Sequence, residues 1–209
     1  MLLICDEQTN GRGRQGKSFY SPALTGIYMT YVTHPMTALQ NAVTATTAAA
    51  VAVCKAIEEL TDKKPKIKWV NDVYLGDKKI CGILTEAVTD FETQTVTSVI
   101  IGIGMNIKTI DFPIDVENAA SLGANVRRAD LIAAIARELH AINNSKYNEF
   151  IDYYRTHSLI IDKKINFIQN ERVTPATAVA IDETGGLVVE LESGEQTVLR
   201  SGEISIRRR

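Results

Sequence analysis

Apolar and polar positions along this chain follow two different periods, and the places where the period changes divide it into elements. Leu2-Leu3-Ile4-Cys5 is a short unbroken apolar run, as expected of a buried strand that leads into the glycine loop. Gly26–Thr33 is rich in aromatic and β-branched residues and predicts a second strand, which Pro35 then closes. From Met36 the apolar residues Met36, Leu39, Val43, Ala50, Cys54 and Ile57 recur in steps of three and four or their sums. That spacing predicts one stripe of a long helix ending near Leu60, with an alanine-rich centre that permits close packing on a sheet.

Beyond a polar turn at 61–65 the period returns to two. A short strand is expected at 66–70, interrupted by Asn71-Asp72 and resumed at 73–75, with Gly76-Asp77 as the turn into a further strand at 80–87. The nearly continuous apolar run 96–103 predicts a central strand buried on both faces. It ends in Gly102-Ile103-Gly104-Met105-Asn106, where either a close ligand or a bulge accounts for the glycines. An irregular stretch, 112–125, leads to an amphipathic helix marked by Leu131, Ile132, Ile135, Leu139 and Ile142. A shorter helix follows, with Tyr147, Phe150, Ile151 and Tyr154 on one face. After Asp162 the texture changes to short strands at 164–168, 177–181, 187–191, 197–199 and 204–206, separated by turn signals such as Asp182-Glu183-Thr184-Gly185-Gly186. That spacing fits a small β-barrel. The expected division is therefore an α/β (α+β) domain over 1–162 and a barrel domain over 163–209.

Composition narrows the classes. Of 209 residues, 45% are apolar and 23% charged, which describes an ordinary globular protein rather than a disordered one. A net charge of −2 disfavours non-specific nucleic-acid binding, although Arg207-Arg208-Arg209 makes a small basic patch. Three cysteines without a C-x-x-C pair argue against a disulfide scaffold or a cysteine zinc site and fit a reducing cytoplasm. His34, His140 and His157 are scattered. No signal peptide is expected, and the longest run of low polarity, 42–56, is too short and too polar to span a membrane.

Two clusters of polar residues exceed what packing requires. The first, Gly11-Arg12-Gly13-Arg14-Gln15-Gly16-Lys17, interleaves glycines with fixed cations. Glycine lets a ligand approach the backbone, and arginine suits bidentate contact with carboxylate or phosphate. Its letters match the G-x-G-x-x-G dinucleotide fingerprint, but that fingerprint needs a helix at the third glycine and an acid about 20 residues on, and neither is expected here. The second cluster is Lys68-Trp69-Val70-Asn71-Asp72 with Lys79, an ammonium close to the apolar Gly82-Ile83-Leu84 strand. A charge there is costly unless an opposite charge meets it, so Lys79 calls for an anion.

With both clusters in view, the chain resembles the biotin protein ligases. Their glutamine followed by G-R-G-R-x-G corresponds to Gln8 and Gly11 through Gly16, and their K-W-P-N-D-[hydrophobic]-Y to Lys68 through Tyr74. Their lysine before a G-I-L strand corresponds to Lys79 and Gly82-Ile83-Leu84. The G-x-G-x-N strand end matches Gly102 through Asn106, and G-E-[hydrophobic]-S matches Gly202 through Ser205. The resemblance covers nearly the whole chain. It implies a mixed-sheet, class II synthetase-like catalytic domain followed by a small SH3-like barrel.

It also implies a two-step reaction. Biotin is activated by ATP as biotinyl-5′-adenylate, with Mg²⁺ held mainly through the ATP phosphates, and a lysine of a biotin carboxyl carrier domain then takes the acyl group. The resemblance makes Lys79, Arg14 and Asp72 catalytic. It gives the biotin contacts to Gln8, Arg12, Gly13, Arg14, Lys79 and Gly82, and the nucleotide contacts to Arg12, Arg14, Asn71, Asn106 and Arg207. Asp72 is open to two roles, accepting the proton of the incoming amine or orienting Mg²⁺. Membership is compatible with a homodimer, and no DNA partner is expected because no helix-turn-helix segment precedes the loop. Val70 stands for the usual proline, Gln15 for a third basic residue and Phe19 for a tryptophan. The Ser/Thr-Thr-Asn segment that contacts the biotin ring upstream in the family has no counterpart after Met1. Weaker biotin binding is the consequence expected, since a buried amide left unpaired costs about 1–3 kcal/mol. The competing expectations are a non-catalytic biotin or adenylate binder and a lipoate or octanoate ligase.

Overall fold

The computed structural model describes residues 1–34, 42–90, 92–114, 116, 118–145, 148–169 and 172–207. Met36, Leu39, Tyr147, Arg208 and Arg209, which figure in the expectations above, lie outside that set. The strands β1 (Leu2–Cys5), β2 (Gly26–Thr33), β3 (Lys66–Lys68), β4 (Asp72–Leu75), β5 (Lys78–Thr89) and β6 (Val96–Asn106) form one sheet in the order β1-β2-β6-β5-β4-β3. Helices α1 (Ala42–Leu60), α2 (Arg128–Asn143) and α3 (Asn148–Thr156) belong to the same body, with α1 packed on β4, β5 and β6 and α2 on β2.

A mixed sheet is expected, yet every ladder among the described residues is antiparallel, and parallel pairing is confined to isolated bridges at Ile67–Ser158 and Lys79–Ala119. Short connections decide this, because β3, β4 and β5 form a meander whose turns are too short for a parallel crossover. One row of cross-strand partners, Ile67, Val73, Cys81, Met105 and Ile27, is buried under the helices. The next row, Lys68, Asp72, Gly82, Gly104 and Tyr28, belongs to the other face. The run 96–103 is thus buried on one side only. Along β6 the odd residues Val99, Ile101 and Ile103 are closed off by the core, while Ile100, Gly102 and Gly104 are part of a cavity wall.

The C-terminal strands β7 (Lys164–Gln169), β8 (Arg172–Ile181), β9 (Leu187–Leu191), β10 (Gln196–Leu199) and β11 (Glu203–Ile206) make a five-stranded antiparallel sheet, order β10-β9-β8-β7-β11. β8 starts five residues before the expected 177 and runs through Pro175. The reason is local. Over its first residues β8 pairs with β7 alone, β9 joining only at Ala176, so Pro175 sits where a strand needs no second partner for its nitrogen. The turn after β8 reaches the first sheet, where the Trp69 indole N–H donates to the Gly185 carbonyl at 2.9 Å.

Candidate active site

The face of the first sheet away from the helices carries a cavity of about 470 Å³, within the range of small-molecule sites. Its floor is made of backbone. Gly82 and Gly104 are direct cross-strand partners, and Gly102 lies two residues along. The Phe19 ring lies over Gly104 so closely that a Cβ there would stand 2.5 Å from it, and it is 3.5 Å from where a Cβ on Gly82 would be. The register shift of the β5–β6 ladder falls at Val88/Thr89, far from these glycines, so a bulge does not explain them; the close approach of Phe19 explains Gly104, while a Cβ on Gly102 would make only ordinary contacts with Leu84.

A bulge does explain Lys79. By strict alternation Lys79 would share the core face with Cys81 and Ile83. The β4–β5 ladder shifts register between Val73 and Tyr74, pairing Val73 with Cys81 but Tyr74 with Lys79 and leaving Ile80 as the extra residue. Ile80 and Cys81 are consequently both buried, and Lys79 is turned into the cavity. Bulges next to active sites commonly re-aim a side chain in this way. The Lys79 ammonium lies 2.7 Å from Asp72 Oδ1, an ion pair whose angles are not those of a hydrogen bond.

The glycine loop forms the opposite wall. It folds as a narrow hairpin closed by Gln8 N–H to Ser21 O (3.1 Å), Phe19 N–H to Gly11 O (2.9 Å) and Gly13 N–H to Lys17 O (2.7 Å). Residues Arg14–Gly16 make one 3₁₀ turn with Gln15 and Gly16 at positive φ, and Lys17 is extended, so no helix opens at the third glycine. The Ser21 hydroxyl donates to Gln8 Oε1 at 2.9 Å.

Arg14 reaches across the cavity and donates to Asn71 Oδ1 at 3.1 Å, while Asn71 Nδ2 donates to the Ile83 carbonyl at 3.0 Å. Asn71 is thereby engaged at both ends of its amide. Its neighbours are fixed as well: Trp69 by Gly185, and the Val70 carbonyl by the Tyr154 hydroxyl at 3.1 Å. Lys17 forms an ion pair with Glu203 of β11, joining the loop to the C-terminal sheet. Arg12, Arg14, Lys17, Lys68 and Lys79 all line the cavity, against the carboxylates Asp72, Glu86 and Glu203. The arrangement is an anion trough with a flat floor. Burial pushes the Lys68 ammonium below its ordinary pKa, with Asp72 opposing, and burial pushes the neighbouring Tyr74 phenol up to about 12.

Of the residues singled out in the sequence, Gln8, Arg12, Gly13, Arg14, Asn71, Asp72, Lys79 and Gly82 converge on this cavity. Asn106 does not line it. It is 4% exposed at the end of β6, donates to the Ala120 carbonyl at 3.3 Å and leaves its Oδ1 without a partner. Arg207 also stands outside, its amide bonded to Lys164 O at 2.9 Å and its guanidinium 3.5 Å from Glu192, because β11 ends on the β7 side of its sheet. Four further lining residues, Lys17, Phe19, Lys68 and Glu203, have no role among the sequence-derived sites. Lys68 and Glu203 sit inside matched motifs, which is the signal that points to them.

The model of the Biotin/lipoate A/B protein ligase family matches residues 1–106, and the Biotin protein ligase C terminal domain matches 160–207. In sequence the chain is 31% identical over 208 residues to the bifunctional ligase/repressor BirA of Bacillus subtilis, covering 92% of this chain and 62% of that protein. It is 26% identical over 216 residues to the biotin–[acetyl-CoA-carboxylase] ligase of Mycobacterium tuberculosis, covering 98% and 78%. The chain thus spans a little under two thirds of the Bacillus relative. A solved structure of the biotin protein ligase from Aquifex aeolicus in complex with biotin and ATP superposes with a TM-score of 0.84 at 25% identity, over 100% of this chain and 89% of that one.

Proposed function

The chain belongs to the biotin/lipoate A/B protein ligase family, and from that premise we propose that it is an ATP-dependent biotin ligase, activating biotin as biotinyl-5′-AMP and transferring it to a lysine of a biotin carboxyl carrier domain. The observation that carries the reading is the bulge at Ile80, which puts the Lys79 ammonium over a glycine floor facing the arginines of the loop. A carboxylate and a triphosphate repel each other in water. Fixed cations aimed at the site of developing charge overcome that repulsion, and they act more strongly where water is excluded.

In the first step a biotin carboxylate oxygen attacks the α-phosphorus, the bond to the bridging oxygen breaks, and pyrophosphate leaves. Lys79 touches both the carboxylate and the α-phosphate, while Arg12 and Arg14 clamp their remaining oxygens. Gln8 contacts biotin near the loop, and the backbone at Gly13 and Gly82 lines the ligand. Asn71 serves as the anchor that orients Arg14, and the reading gives no ligand contact to Asn106 or Arg207. In the second step the acceptor amine attacks the acyl carbonyl, the anhydride C–O bond breaks, and AMP leaves. Asp72 is the carboxylate positioned to take the amine's proton, displacing Lys79 as its partner.

Among the described residues no three His, Cys, Asp or Glu side chains gather as a metal cage. The lining carboxylates suit a Mg²⁺ that rides on the ATP phosphates and is steadied by Asp72, where it would neutralise phosphate charge. The test is incorporation of labelled biotin into an isolated carrier domain, with lipoate and octanoate as alternative acids. Labelling that requires ATP and biotin supports the reading. Preferential use of lipoate or octanoate replaces it with the related ligase activity, and binding of biotin without transfer leaves a non-catalytic binder.

A further inference from the structure

Three ammonium groups gather at the end of the cavity nearest the C-terminal sheet, and two of them are committed. Lys79 is paired with Asp72, and Lys17 with Glu203. Lys68 lines the same cavity and, among the described residues, has no carboxylate within ion-pair distance; Asp72 and Glu203 act on its charge only from farther off, and its ammonium stands 5.8 Å from the centroid of the Tyr74 ring. A partly buried cation with no close counter-ion is costly to maintain, and an anionic ligand is the usual compensation.

The register fixes where that anion would lie. Lys68 is the direct partner of Asp72, Asp72 of Gly82, and Gly82 of Gly104. Direct partners in antiparallel strands share a face. Lys68 therefore stands on the cavity face, about two strand spacings or roughly 10 Å from the glycine floor. It lies beyond Asp72, on the side of that strand away from Gly82. A nucleotide whose α-phosphate meets Lys79 would have its outer phosphates toward Lys68.

We propose that Lys68 is a catalytic residue of adenylate formation: its ammonium holds the β- and γ-phosphate oxygens and stabilises the pyrophosphate leaving group. The inference rests on the reading of the pocket as an acyl-adenylate site. As the carboxylate oxygen bonds to the α-phosphorus and the bridging P–O bond breaks, the electron pair of that bond passes to the pyrophosphate. No proton needs to move. Lys68 meets the charge that collects there, and it has no part in the later attack of the amine, when pyrophosphate has gone.

The experiment separates the two half-reactions in the full chain. Wild type, Lys68→Met and Lys68→Arg are assayed for biotin-dependent ATP–pyrophosphate exchange, and then for acyl transfer to a carrier domain from supplied biotinyl-adenylate. Loss of one preorganised charge donor predicts about a hundredfold fall in exchange for Lys68→Met, with transfer from supplied adenylate within about threefold of wild type. Lys68→Arg, which keeps the charge, should recover at least tenfold of the loss. Exchange reduced less than threefold, or both half-reactions reduced equally, would overturn the proposal. Should Lys68→Met fail to fold, pyrophosphate titrated calorimetrically into wild type and Lys68→Gln decides the matter: tenfold weaker binding in Lys68→Gln supports it, and equal binding overturns it. No exchange by the wild type would instead sink the underlying reading and not the placement of Lys68.

Discussion

The two faces of the six-stranded sheet are built from alternate residues of the same strands, and they obey opposite rules. Toward the helices stand Ile67, Val73, Cys81, Ile83, Ile101, Ile103 and Met105, all at or below 2% exposure. Toward the cavity the same strands present Lys68, Asp72, Gly82, Leu84, Gly102 and Gly104. One face maximises buried apolar area. The other gives up side-chain volume and stability to leave room, charge and bare backbone. Because the pleat separates the two sets, either can be altered with limited effect on the other, and Lys79 is the exception that needs a bulge to change sides.

The largest effect should come from the helix face. Ile101→Ala removes a fully buried side chain from the central strand and should cost about 2–5 kcal/mol in a denaturant titration, with ligand affinity of the folded fraction little changed. A loss of affinity larger than the loss of stability would mean that the faces are not separable. Next, Lys79→Ala should lower biotin-dependent exchange about 10²–10³-fold while shifting the unfolding midpoint only slightly, since the side chain faces the cavity. Gly104→Ala should be smaller again, with biotin affinity about tenfold weaker, because the added methyl displaces Phe19 and raises the floor. Unchanged affinity would show that the ligand does not lie on the glycines.

The smallest effect lies in the C-terminal sheet. In its Asp182 turn, burial acts to raise the carboxyl pKa, but hydrogen bonds from the Thr184 hydroxyl and the Gly186 and Thr184 amides, with the Arg200 charge, outweigh burial and hold it below the ordinary value. A depressed folded pKa gives stability that is present above the unfolded pKa near 4 and is lost as pH falls through the folded value. Asp182→Asn should therefore flatten the acid side of the stability profile below about pH 4 and leave activity at pH 7 unaltered.

Much of this architecture is legible in the sequence because each strand announces its own period. Gly26–Thr33 and Leu187–Leu191 fall where the apolar pattern puts them, and the glycine loop and Lys79 declare themselves as charge without an apolar role; Leu2–Cys5 is a strand as expected, but an exposed one at the sheet edge and not a buried one. What the pattern hides is whatever depends on pairing. The bulge at Ile80 is invisible, because it arises from register with β4 and not from any residue of β5. The burial of 96–103 on one face alone escapes notice because isoleucine at position 100 reads the same on a cavity wall as in a core. Asn106 and Arg207 sit in matched motifs, yet their backbone neighbours carry them away from the cavity. Asn71 does line the cavity, but its role in holding the Arg14 guanidinium through its amide oxygen has no signal in the sequence.

The most direct trial of the central claim is the ATP–pyrophosphate exchange of the 209-residue chain, followed with and without biotin. The account predicts exchange that appears only when biotin is present and that falls at least about a hundredfold in Lys79→Ala. Exchange independent of biotin, or none from a folded chain, would contradict it.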